Sequence, residues 1–255
     1  MRHPPVTPAR AAVPLVAVAH GSRDPRAAAT VGALLDEAGA RRPGLPVLTS
    51  FLDHAAPSPG AVLQGLPAES AVVLPLLLTA AYHSKIDIPA VLAGARTRRP
   101  RLDLRTAGTL GPHPLLVAAL ERRLAEAGVT PGDPGTAVVL VSAGSSDAAA
   151  NATIGALARR WRTAGWWDVV PAFASAARPA PGDAVAALLD AGAPRVAVAS
   201  YFLSPGHFAD KVRREALAAG ASAVSDVLGA APEVAEVVLH RYDEALAGAR
   251  EAAAV

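Results

Sequence analysis

Ala17-Val-Ala-His-Gly-Ser-Arg-Asp24 returns in the second half of the chain as Leu140-Val-Ser-Ala-Gly-Ser-Ser-Asp147. In both stretches an apolar run meets a small-residue turn, and an acidic residue follows where a helix can begin. A strand that feeds a helix in this way is the building unit of an α/β fold. Three further pairs keep the same order. Phe51-Leu-Asp53 with Pro57-Ser-Pro-Gly60 matches Phe173-Ala-Ser175 with Pro179-Ala-Pro-Gly182. Leu78-Thr-Ala-Ala-Tyr-His83 matches Leu203-Ser-Pro-Gly-His207 with one residue dropped, and Leu110-Gly-Pro-His-Pro114 matches Leu228-Gly-Ala-Ala-Pro232. The offset stays between 118 and 125 residues, which reads as a tandem duplication. Thr130-Pro-Gly-Asp-Pro-Gly135 is a breaker-rich seam, so the expected division is 1–130 and 131–255.

Working outward, apolar β-type runs at Pro14–Ala19, Pro46–Leu52, Ala71–Leu78, Asp103–Ala107, Ala137–Ser142, Asp168–Phe173, Arg195–Phe202 and Ser222–Val227 alternate with alanine-rich helical stretches. Helices are expected at Asp24–Arg41, His113–Ala127, Asp147–Thr163 and Glu233–Ala249, with Asp24 and Asp147 as N-caps or first-turn acids. The strands are apolar almost throughout, as strands buried on both faces of a parallel sheet are. Periodicity fits either one closed eight-stranded barrel or two lobes of four strands each, and the seam favours two lobes facing each other across a cleft.

Composition excludes several classes. The chain has 255 residues, 52% hydrophobic and 18% charged, which is enough for a sizeable core and far from a disordered composition. A net charge of +2 with no like-charge block gives no footprint for nucleic acid. Cysteine is absent, so disulfides, thiolate metal sites and thiol nucleophiles are excluded. The longest apolar run, Ala71–Tyr82, is too short to cross a membrane and contains Pro75. A soluble, cytoplasmic protein is expected.

Ligands of open parallel sheets sit beyond the carboxyl ends of the strands. His20 follows the first strand, Asp53 the second, and His83 lies past the third. Two imidazoles and a carboxylate suit a divalent cation such as Fe²⁺ or Co²⁺, and equally suit proton transfer near neutral pH. The second repeat has Ala143 for His20 and Ser175 for Asp53 and retains only His207, opposite His83. One working site, in the N-terminal half, is therefore expected, with His207 either reaching across the cleft or left as a relic. Gly21 permits a tight turn, and Ser22, Arg23 and Arg26 add donors suited to carboxylates or phosphates at a helix start. Gly144 and Ser145 repeat that turn. His54 is expected to point away from Asp53, His113 to cap a helix, His240 to lie on a helix surface, and Trp161, Trp166 and Trp167 to pack, with a stacking surface for a flat ligand as the alternative.

These motifs as a set resemble the class II tetrapyrrole chelatases: Val-Ala-His20-Gly-Ser-Arg-Asp-Pro-Arg, Phe-Leu-Asp53 with Ala-Ala-Pro-Ser, Pro-Leu-Leu-Leu-Thr-Ala-Ala-Tyr-His83 with Asp87-Ile-Pro, and Leu-Gly-Pro-His113-Pro. Within them the chain most resembles the sirohydrochlorin cobaltochelatases and ferrochelatases, closely over about residues 14–127 and more loosely after that. The resemblance implies two chelatase lobes in one chain, each a four-stranded parallel sheet flanked by helices, acting as a monomer. It implies an ATP-independent lyase that exchanges Fe²⁺ or Co²⁺ for two ring protons of sirohydrochlorin, a flat macrocycle with eight carboxylates. It also implies that His20 and His83 bind the incoming metal and carry catalysis, with Asp53 where the family has a glutamate. Ser22, Arg23, Arg26, Gly144, Ser145 and His207 are the expected substrate contacts. The metal is a substrate, no tightly bound cofactor is expected, and neither nucleic acid nor membrane is an expected partner. A histidine phosphatase also places His-Gly after its first strand, but with arginine before the histidine, where this chain has Ala19. A metal carrier, or a degenerate homologue with a regulatory role, remains open on the residues alone.

Overall fold

The structure, a computed structural model, describes residues 12–80 and 86–252. The first lobe runs β1 (Leu15–Ala19), α1 (Pro25–Arg41), β2 (Val47–Phe51), α2 (Pro59–Gly65), β3 (Ser70–Pro75), α3 (Ile88–Arg98), β4 (Asp103–Thr106) and α4 (Pro114–Glu126). The second repeats the order with β5 (Thr136–Ser142), α5 (Ala148–Arg162), β6 (Asp168–Phe173), α6 (Pro181–Asp190), β7 (Arg195–Ser200), α7 (His207–Ala218), β8 (Ala223–Val224) and α8 (Pro232–Ala252). The strands form two separate four-stranded sheets, β2-β1-β3-β4 and β6-β5-β7-β8, with every pairing parallel. The single barrel is excluded.

All eight expected strands form, and local chemistry sets their ends. β8 was expected over Ser222–Val227 and keeps only Ala223–Val224. Ser225 ends it: its hydroxyl oxygen accepts from the Ser200 N–H (3.0 Å) and its carbonyl accepts from the Ser200 hydroxyl (2.8 Å). Pro171 is tolerated inside β6 because β6 is an edge strand. Asp24 and Asp147 cap α1 and α5, accepting from Arg26 N and Ala149 N at 2.9 Å. His113 caps α4 through its ring nitrogen, which accepts from Leu115 N at 3.2 Å. That bond needs a neutral imidazole, and burial, Arg241 and His240 all hold the His113 pKa below its ordinary value.

The two sheets are separate, but the core is shared. One cluster holds Leu15, Leu74 and Leu120 together with Leu140, Ala199 and Val238. The final helices cross over: α4 packs on β7 of the second sheet, and α8 packs on β3 and β4 of the first. Their arginines make the exchange twice. Arg123 of α4 donates to the Leu228 carbonyl (3.0 Å), and Arg241 of α8 donates to the carbonyls of Leu110 (3.2 Å) and Pro112 (3.1 Å). These carbonyls belong to the paired Leu-Gly turns found in the sequence. Gly111 is required there because a Cβ would lie 2.3 Å from the Leu78 carbonyl and 2.4 Å from the Tyr201 hydroxyl of the other lobe. Trp161 also ties the lobes, donating from Nε1 to Glu121 at 2.9 Å. Trp161 and Trp166 are buried edge to face at 5.9 Å, so they pack rather than offer a stacking surface.

The exchange makes a prediction. Val234, Val237 and Val238 of α8 are fully buried, and burial of each such side chain stabilises by roughly 1.5–3 kcal/mol. A chain ending before Pro232 loses an amount comparable with the whole of a domain's stability, ~5–15 kcal/mol. It should fail to fold in either lobe, as judged by near-ultraviolet circular dichroism and by protease resistance of the first lobe. A first lobe that remained protected would show that its sheet does not depend on α8.

Candidate active site

In a sheet ordered 2-1-3-4 the chain crossovers diverge on either side of the gap between the first and third strands. The crevice at their carboxyl ends is where ligands bind. Here a cavity of about 240 Å³ occupies that position. His20 and Gly21 enter it from the end of β1, Leu76 from the end of β3, and Val31 and Ala28 from α1. The second lobe closes it with Phe202, Leu203, Ser204 and Phe208. An imidazole thus sits on a largely apolar chamber between the lobes, and Phe208 is one of the exposed large apolar side chains, 41% accessible.

The turn that carries His20 is built by close backbone contact. Gly21 has φ +92°, and a Cβ on it would lie 1.8 Å from the Asp53 carbonyl oxygen. Asp53 N in turn donates to the His20 carbonyl at 3.0 Å. The ends of β1 and β2 are therefore locked side by side, which brings His20 and Asp53 to one rim as their sequence positions suggested. The Asp53 side chain is 64% exposed; Oδ1 accepts from His54 N (2.8 Å), and His54 Nε2 lies 3.3 Å from Oδ2. This corrects the expectation that His54 faces away. His54 has φ +59°, and that left-handed turn folds the ring back over Asp53. His83 lies outside the described residues, and among those described no three His, Asp or Glu side chains converge as a ready metal cage.

The other expected residues divide. Ser22 accepts from Asp24 N at 3.0 Å and shapes the turn. Arg23 is exposed and has no ion-pair partner among the described residues. Arg26 spends its guanidinium on protein carboxylates: it pairs with Asp24 (2.6 Å), holding that carboxyl below the usual range, and with Asp210 of the other lobe (2.6 Å). His207 is the exposed first residue of α7, its ring edge-on to Phe208 at 5.7 Å. It flanks the chamber without lining it.

The second repeat preserves the turn and closes it. Gly144 has φ +83° with a virtual Cβ 1.9 Å from the Ser175 carbonyl, and Ser145 Oγ accepts from Asp147 N at 3.0 Å. Asn151, however, accepts from Ser145 N (3.0 Å) and donates to Ser145 O (2.7 Å). Ala28 holds the equivalent place in α1 and lines the chamber, so Ser22 N meets no such acceptor. The sequence reading missed this contrast, although Asn151 opposite Ala28 was its visible signal. The aromatic wall was also missed, because Phe202 and Phe208 sit in the other lobe.

A family model, CbiX, matches residues 14–127 and again 137–245. The sirohydrochlorin cobaltochelatase of Priestia megaterium is 31% identical over 201 residues, a match covering 74% of this chain and 63% of that protein. The chain thus spans less than two thirds of this curated relative. SirB from Bacillus subtilis, solved with Fe³⁺, is 27% identical with a TM-score of 0.81 over 94% of this chain and 98% of that one. The structure of CbiX, described as the terminal enzyme of siroheme biosynthesis in denitrifying bacteria, shares the fold at 19% identity, with a TM-score of 0.66 over 91% and 99% of the two chains.

Proposed function

The chain belongs to the CbiX family, and from that premise and the site geometry we propose that it inserts Fe²⁺ or Co²⁺ into sirohydrochlorin. The observation that carries the reading is His20, an imidazole placed on an apolar chamber at the strand-order switch of the first sheet. Insertion replaces two N–H protons of the macrocycle by the metal. A neutral imidazole at the chamber rim serves as metal ligand, as proton acceptor, or as each in turn, with His83 and Asp53 completing the set. The chamber is smaller than the ~300–1,000 Å³ of sites that enclose a whole ligand. It therefore takes one edge of the ring, with Phe202 and Phe208 against the flat face and the rest in the open cleft. Arg23 and the Ser22 N–H are placed for the peripheral carboxylates. Arg26 joins them only by releasing Asp210.

The enzyme in this reading is an ATP-independent lyase with the metal as substrate, acting as a cytoplasmic monomer whose lobes form one cleft. No described helix is long and apolar enough to cross a membrane. An anaerobic absorbance assay with sirohydrochlorin and either metal tests it, because insertion changes the visible spectrum directly. Acceleration over the spontaneous rate is expected, and the relative rates give the metal preference. Metal binding without acceleration would replace the chelatase by a metal carrier.

A further inference from the structure

The second lobe keeps the backbone of the first lobe's site and reverses its charge. The loop after β6 copies the loop after β2: Ala176 has φ +56° where His54 has +59°, Ser175 N donates to Ala143 O (2.9 Å) as Asp53 N does to His20 O, and Phe173 N donates to Pro179 O (2.9 Å) as Phe51 N does to Pro57 O. Helices α3 and α7 register as well, since Ile88 and Leu92 are buried where Val212 and Ala216 are. That register sets Lys211 opposite Asp87. Through this correspondence Ala143 replaces His20, Ser175 replaces Asp53, Ala176 replaces His54 and Lys211 replaces Asp87.

A cavity of about 400 Å³ opens beside the copied loop after β6, lined by residues 173–178, Ala180 and Lys211 but not by Ala143. Its charged lining is Arg178 and Lys211, with no carboxylate. Lys211 Nζ donates to the Ala174 carbonyl at 3.1 Å and stands 3.8 Å from Glu215. Arg178 lies 3.5 Å from Asp183, both largely exposed. Both acids sit on helices outside the lining. In the first lobe the His54 N–H donates to the Asp53 carboxylate. Here the Ser175 hydroxyl donates instead to Ala143 O (2.9 Å), so the Ala176 N–H meets no carboxylate. Two cations and an N–H in a left-handed turn form the donor set that oxyanions take.

The geometry points to the cavity at the loop after β6 as an oxyanion site, holding a carboxylate or phosphate group between Lys211 and Arg178. The ligand is either a free oxyanion or a peripheral carboxylate of the macrocycle, and only the latter rests on the chelatase reading. Inorganic phosphate is the first probe, followed by ³¹P resonance at low ionic strength on the full-length protein. Saturable binding is expected, weakened about tenfold by Lys211→Gln and by Arg178→Gln, as loss of a charged hydrogen bond gives. Lys211→Arg and His20→Ala should leave it intact, and thermal melts confirm that each variant is folded. Metal-free sirohydrochlorin, followed by macrocycle fluorescence, is the second probe. Competition with phosphate assigns the site to substrate carboxylates, whereas phosphate binding without competition assigns it to a free oxyanion. No saturable phosphate binding, or equal affinity in wild type and both glutamine variants, overturns the proposal whether or not the protein proves to be a chelatase.

Discussion

Replacing His20 by alanine should reduce metal insertion to the spontaneous rate while leaving the protein folded and able to bind the metal-free macrocycle. The size follows from the chemistry removed. A positioned proton acceptor contributes about 10²–10⁴-fold, and loss of a metal ligand acts in the same direction. The stability cost should be small, because His20 is exposed and surface substitutions stay within about 0.5 kcal/mol. The chamber walls that hold the ring are apolar and remain in place, so the defect belongs in kcat rather than in macrocycle affinity. Initial rates by visible absorbance and binding by macrocycle fluorescence separate the two. His20→Ala retaining more than about a tenth of the rate would move the chemistry to His83 and Asp53. Asp53→Ala should cost less than His20→Ala, because the Asp53 carboxylate is exposed and already shared with His54.

The parts of this fold that could be read in the sequence are those set by neighbours along the chain. Runs such as Ala137–Val141 are apolar at every position, and only a strand covered on both faces needs that. Asp24 and Asp147 cap helices because a short carboxylate one residue before a helix finds free N–H groups. Strand ends then place His20 beside Asp53. What could not be read depends on contacts between distant segments. Nothing local to α8 says that its valines cover β3 and β4 rather than its own sheet, and the apparent seam at Thr130–Gly135 divides the sheets without dividing the core. Ser225 ends β8 through a partner on β7, which no propensity records. His54 turns toward Asp53 because of a left-handed φ, a conformation uncommon outside glycine that histidine adopts more readily than most but that no neighbouring residue signals.

Gly144 supplies the largest loss of stability expected of a single substitution in the second lobe. Alanine there meets two costs. At φ +83° an L-residue pays about 1–2 kcal/mol. Its Cβ would also stand 1.9 Å from the Ser175 carbonyl oxygen, which cannot retreat freely. That oxygen accepts from Ala177 N at 2.7 Å, while Ser175 N is held by the Ala143 carbonyl at 2.9 Å. Moving the carbonyl breaks the loop, so Gly144→Ala should cost more than about 4 kcal/mol, a range confined to named mechanisms such as this. Gly128 is the internal control: its φ is +82°, yet nothing stands within 4 Å of its virtual Cβ. Gly128→Ala carries the conformational cost alone and should lose about 1–2 kcal/mol. Denaturant melts of the two variants measure the difference, and equal midpoints would show that close approach is not why glycine is needed. Gly21→Ala repeats the clash at 1.8 Å from the Asp53 carbonyl and should destabilise as Gly144→Ala does. At a temperature where both variants stay folded they should part in activity, because only the Gly21 turn carries His20 into the chamber.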